Sequence, residues 1–361
     1  MTLATAYLPD GRLGPGRLCE AELDVLRMGP AELVLPEATI RDERGGALFD
    51  DSLAFDPAAG GGPLVPEAVD RQARAFGVVN TAFHTQRALR FAADLLDHPL
   101  PHLLVRIGMH NEPRRWGGGH YRLPGPTYVE PVAVHPDGEV HLGGGRAFLT
   151  SGTHRYFHAP AHNAAIVYHE VGHHICRHTA DFRLNRNRPP NQQTSKKIAL
   201  DEGTADLFTA IMLGTPDIYH WHRRKIPDWD QRRRKLDPRW TMAHFHGGRG
   251  QDPHADGTVW ASACWSARQR VTAAGVDPAR FDALLLRGLE LAGEDDEPNS
   301  AEEALRRRRH FSRLLASMTR ADPQLAPVVL AAMAGHGIRP GASNAQLSEA
   351  ARARQVQAAG T

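Results

Sequence analysis

Four histidines and one glutamate fall within YHEVGHHICRH, residues 168–178. On a helix, residues four apart stand one turn above each other on the same face. His169 and His173 can therefore direct two imidazoles at one ion, with Glu170 beside them and able to reach a water on that ion. The pattern H-E-x-x-H carries this chemistry. Zinc suits it, because zinc takes imidazole and carboxylate ligands tetrahedrally and leaves a position for water. The competing reading is a polar helix face in a chain that contains 21 histidines.

A third ligand is available in LDEGTADLF, residues 200–208. Glu202 and Asp206 are four apart and share a helix face. They are interleaved with Gly203, Thr204, Ala205 and Leu207 rather than with lysines or arginines. Carboxylates in so apolar a setting need a partner, and a cation supplies one. One of the two can complete the metal shell. The other can accept a hydrogen bond from the second nitrogen of a ligand histidine.

With HEVGH (169–173) followed by EGTAD (202–206), the chain resembles the gluzincin metallopeptidases, in particular the thermolysin and fungalysin-like group. HADGTVWASACW (254–265) is similar to the fungalysin-type segment His-x-x-Gly-x-Val-Trp-Ala, and AAMAGHGI (331–338) resembles the group's closing helix and glycine turn. The resemblance covers about Pro66 to Ile338. It implies that His169, His173 and Glu202 ligate zinc, that Glu170 is the general base and that Asp206 orients His169. It also implies that a histidine near 254 donates to the oxyanion, His254 by its place before Gly257, Val259 and Trp260, with His246 as its rival. A loop histidine is the plainer reading. In that group an edge strand of the first lobe pairs with the substrate backbone. GGGHYRLP (117–124) lies in the equivalent stretch, which makes Gly119, His120 and Tyr121 substrate-binding candidates against a simple surface turn.

The chain departs from the group's pattern in three ways. Residues 174–201 contain no tyrosine to act as a second donor, recognisable calcium-binding acidic clusters are missing, and the stretch before Pro66 is short for an inhibitory pro-segment. Cys176 reads as a packing residue. The arginine- and tryptophan-rich stretch 220–240 reads as a solvated arm, with a nucleic-acid surface or a preference for acidic substrates as alternatives.

The elements that must position these residues follow from periodicity. Residues 1–65 read as short strands or an irregular cap. A helix is predicted from about Pro66, then a strand at 103–110, a Gly-rich turn, and two strands joined by Pro-Asp-Gly at 136–138. From about Ala161 the pattern is helical, with Asp277 and Pro278 as N-cap and first residue of one helix. The predicted fold is α+β, a thermolysin-like two-lobe zincin with the H-E-x-x-H helix between a strand-rich and a helical lobe. Its parts are 1–65 as a cap or extension, 66–178 as the strand-rich lobe, 179–345 as the helical lobe and 346–361 as a polar tail.

Composition narrows the partners. With a net charge of +2, neither nucleic acid nor membrane is expected as the main partner. No signal segment is recognisable at the start, and Cys19, Cys176 and Cys264 stand far apart, so a cytoplasmic protein with free thiols is expected. The expected function is zinc-dependent hydrolysis of a peptide or protein substrate. The alternatives are a zinc hydrolase acting on a non-peptide amide or biosynthetic intermediate, and a non-catalytic interaction protein stabilised by zinc.

Overall fold

The first 50 residues contribute five strands, three of which join the main sheet. This emerges from a computed structural model that describes residues 1–8, 17–50, 52–53, 71–110, 116–125, 133–149, 155–220, 234–248, 251–294 and 309–359. The fold is mixed α+β. Two compact units divide the chain: Met1–Ala93, Pro99–His174 and Tyr219–Gln231 form the first, and Asp94–His98, Ile175–Ile218 and Arg232–Thr361 the second.

In the first unit, β1 (Thr2–Leu8) and β2 (Arg17–Leu23) form an antiparallel pair. A six-stranded sheet follows, built from β3 (Arg27–Gly29), β4 (Glu32–Val34), β5 (Ala38–Asp42), β6 (Leu103–Met109), β7 (Gly119–Arg122) and β8 (Glu139–Gly143). Its order is β3-β4-β5-β6-β8-β7, which among the described residues leaves β7 on an edge. β6 runs parallel to both β5 and β8, whereas β7 is antiparallel to β8. Parallel neighbours need a long crossover, and α1 (Arg71–Leu96) supplies it between β5 and β6. β9 (Arg146–Leu149) and β10 (Arg155–His158) form a further antiparallel pair. Ile40, Val105, Ile107, Val140 and Leu142 are buried in the sheet.

The Gly-rich stretch predicted as a turn is thus partly strand. The Pro-Asp-Gly turn forms, with Gly138 at φ 89°, but β8 after it pairs with β7 and β6. Residues 133–135 are not strand, and the rest of the predicted preceding strand lies outside the described residues.

α2 (Ala164–His178) starts after Asn163, whose Oδ1 accepts the Ala165 N–H at 3.0 Å. Tyr168 on this helix is fully buried and its hydroxyl meets His84 Nδ1 of α1 at 2.7 Å.

The second unit is helical. It contains α3 (Ala199–Leu213), α4 (Pro253–Ala273), α5 (Pro278–Glu294), α6 (Phe311–Ala321), α7 (Ala326–Gly335) and α8 (Asn344–Ala359). α3 and α4 meet at Gly203 and Gly257, where a β-carbon on either residue would collide with the other helix's backbone. α4 begins before its apolar pattern does, because Asp252 caps it by accepting the His254 N–H at 3.0 Å and Pro253 fills the first position. Asp277 caps α5 as predicted, accepting the Ala279 N–H at 2.8 Å.

Residues 346–359 of the predicted polar tail fall in α8. It lacks an apolar stripe, but its Ala, Gln and Arg residues are strong helix formers. Leu347 and Ala351 are buried, and Ser348 Oγ donates to the Phe245 carbonyl at 2.9 Å. Arg352 Nη2 reaches the same carbonyl at 2.6 Å. Among the described residues no helix is long and apolar enough to cross a membrane.

Candidate functional site

α2 presents its histidines as the spacing predicts. His169 and His173 are buried, and their Nε2 atoms lie 3.1 Å apart. Two imidazoles bound to a tetrahedral zinc at 2.0–2.1 Å would hold their nitrogens about 3.3–3.4 Å apart, so this pair fits a metal ion. Neighbouring His174 serves the scaffold. Its Nε2 meets the Pro101 carbonyl at 2.9 Å, and its Nδ1 stands 3.2 Å from the Tyr121 hydroxyl.

Glu170 is buried against the edge strand. A β-carbon built on Gly119 would lie 2.9 Å from Glu170 Cγ, Glu170 Oε1 and Ile166 Cγ2. The carboxylate therefore occupies the space that any larger side chain at 119 would take, directly beside the backbone of β7. Tyr121, two residues on, is buried, and its hydroxyl donates to the Asp137 carbonyl at 2.7 Å. Its side chain is committed to packing. Of the three substrate-binding candidates, Gly119 is the one whose backbone lies at the Glu170 carboxylate. His120 points to the opposite face of the sheet and belongs to another cluster.

The second unit gathers its own candidates. Glu202 is fully buried on α3, and His254 Nε2 approaches its Oε2 at 3.0 Å. His254 Nδ1 meets Asp252 Oδ1 at 2.9 Å. Burial works against a proton on this ring, but the hydrogen bonds to Asp252 and Glu202 outweigh it and raise its pKa above the usual histidine value. The glycine crossing one turn along α4 sets this spacing. His254 thus stands in the first turn of a helix and not in a loop, whereas rival His246 is exposed and uses its backbone N–H on Asp256 at 2.8 Å.

Two partners escaped the sequence reading. Lys197 Nζ stands 3.6 Å from Glu202 Oε1 and 3.0 Å from His254 Nε2. Arg234 grips buried Asp206 through Nε at 2.9 Å and Nη2 at 2.5 Å. Arg234 belongs to the predicted arm 220–240, of which residues 221–233 lie outside the described residues. Its pairing with Asp206 has no local spacing signal. Cys176 is buried, and burial, reinforced by Asp201, pushes its thiol pKa well above the ordinary value. That agrees with a packing role.

No protein-family model matches the chain, and a search of curated proteins finds no match either.

Proposed function

We propose that the chain is a zinc-dependent hydrolase of the gluzincin type that cuts peptide bonds, with the thermolysin-like two-lobe architecture its motifs suggest. His169, His173 and Glu202 are the zinc ligands in this reading, and Asp206 orients His169. Bound zinc would supply Lewis acidity, lowering the pKa of a water toward neutrality and polarising the scissile carbonyl.

The chain's own residues do the rest. The observation that carries the reading is the Glu170 carboxylate lying against side-chain-free Gly119 on an edge strand. An extended peptide can add to such an edge through main-chain hydrogen bonds. Its scissile bond would then pass beside Glu170. Glu170 takes the proton of the attacking water and returns it to the leaving amine nitrogen. His254, oriented by Asp252 at Nδ1, would turn its Nε2–H from Glu202 to the developing oxyanion.

The test is zinc content together with cleavage of a proteome-derived peptide library, read by mass spectrometry, for wild type and Glu170→Gln. The variant is expected to keep its zinc and lose roughly 10²–10⁴-fold in rate. Full turnover by that variant would remove Glu170 from the mechanism. A zinc-loaded wild type that cuts no library peptide would shift the reading to a non-peptide amide.

A further inference from the structure

The opposite face of the β7–β8 ladder carries a second group of histidines, unrelated to the H-E-x-x-H pair. Strand side chains alternate between faces, so His120 points away from Gly119 and Tyr121. Its partner across the ladder is His141 of β8. His110 joins them from the end of β6. That strand bulges between Ile107 and Met109, with Gly108 at φ 84°, and His110 itself sits at φ 55°. A left-handed backbone at a histidine carries a conformational cost that something must offset.

The three rings converge on one point. His110 Nε2 lies 3.1 Å from both His120 Nε2 and His141 Nδ1, and the last two are 3.3 Å apart. These separations are close to the roughly 3.3–3.4 Å expected between imidazole nitrogens around one tetrahedral ion. Glu139 Oε1 accepts from His141 Nε2 at 2.5 Å, so His141 turns the lone pair of Nδ1 toward the other two rings. Glu139 is itself held by Arg106 Nε at 3.0 Å and by the His135 N–H at 2.8 Å. A carboxylate fixing the tautomer of a histidine in this way is the usual orienting partner of a metal ligand. Trp116 lies against His110 and His120, with ring centres 5.4 and 4.8 Å away.

Three nitrogens in mutual contact pose an electrostatic problem. Each imidazole nitrogen either donates or accepts, so protons cannot bridge all three contacts at once. A single cation satisfies all three.

We propose that His110, His120 and His141 form a binding site for one divalent transition-metal ion of the zinc type, with Glu139 as its orienting carboxylate. Three neutral imidazoles suit that class of ion, and hard, oxygen-seeking cations such as calcium are not expected to compete. The site is separate from the proposed zinc ligands and stands whether or not Glu170 is a general base.

The experiment isolates it by removing the other pair. The full chain carrying His169→Ala and His173→Ala is dialysed against cobalt or zinc, metal per chain is measured, and circular dichroism checks the fold. One ion per chain is expected, with cobalt giving visible absorption. Adding His120→Ala should reduce the count to zero with the fold intact. Should that variant unfold, His110→Ala, at a half-buried position, serves in its place. A folded double variant that binds no metal would overturn the proposal, as would a triple variant that still binds one.

Discussion

Adding one methyl group at Gly119 perturbs the proposed base without touching it chemically. The new β-carbon would stand 2.9 Å from Glu170 Cγ, Glu170 Oε1 and Ile166 Cγ2. Carbon contacts settle at about 3.5–4.0 Å, so the carboxylate must retreat by roughly 0.6–1.1 Å. Displacements of that size at a reacting group cost on the order of 10²-fold in rate. The stability cost is smaller. Overpacking of this kind costs about 1–3 kcal/mol, and replacing a strand glycine returns about 0.5–1 kcal/mol of chain entropy. Gly119→Ala is therefore expected to remain folded, bind zinc as wild type does, and lose about 100-fold in kcat/KM. The assay is a quenched fluorescent peptide drawn from the library, with zinc content and the urea midpoint measured on the same preparation. A variant with full zinc and kcat/KM within about twofold of wild type, well short of the expected loss, would show that Glu170 does not depend on the space at 119.

Two further predictions concern the scaffold. His84 is fully buried between the Tyr7 carbonyl at 2.8 Å and the Tyr168 hydroxyl at 2.7 Å, and burial depresses its pKa to about 3 from 6.5. A depressed pKa means the unfolded chain binds the extra proton. Stability from this group is therefore full above pH 6.5 and falls by up to about 1.4 kcal/mol per pH unit between there and about pH 3. His84→Asn should be less stable at pH 8 but lose less between pH 6.5 and 4.5, as read from urea midpoints; parallel slopes would refute the assignment. Gly257→Ala should cost about 3 kcal/mol or more, because its β-carbon meets the Ala199 carbonyl oxygen and the Gly203 backbone, which no rotamer change relieves. An unchanged melting temperature would refute this account of the helix crossing.

Helix starts and the proximity of rings on one helix are legible in the sequence, because that information is local. His169, Glu170 and His173 share one helical turn, so their spacing alone predicts neighbouring rings. Asp277 and Pro278 announce a helix start through the chemistry of its first N–H groups. α8 gives no periodic signal, because a helix that buries little more than Leu347, Ser348 and Ala351 has almost no period to read. The histidine trio was illegible for a deeper reason. His110, His120 and His141 have no motif spacing, and they meet only once β7 and β8 pair in register and β6 bulges at Gly108. Arg234 on Asp206 is likewise a product of tertiary folding. Edge position was also hidden, since strand order is not written in any single strand.

The last helix has a consequence for handling the protein. One carbonyl, that of Phe245, receives both Ser348 and Arg352 from α8. The next two backbone N–H groups, of His246 and Gly247, are received by Asp256 in the opening turn of α4 at 2.8 Å each. The loop between is thus moored at one side to the C-terminal helix and at the other to the turn that holds His254. Trimming residues 344–359, or fusing a bulky partner against them, slackens that mooring and alters how the histidine is presented. What reads as a polar tail is part of the rigging of the imidazole.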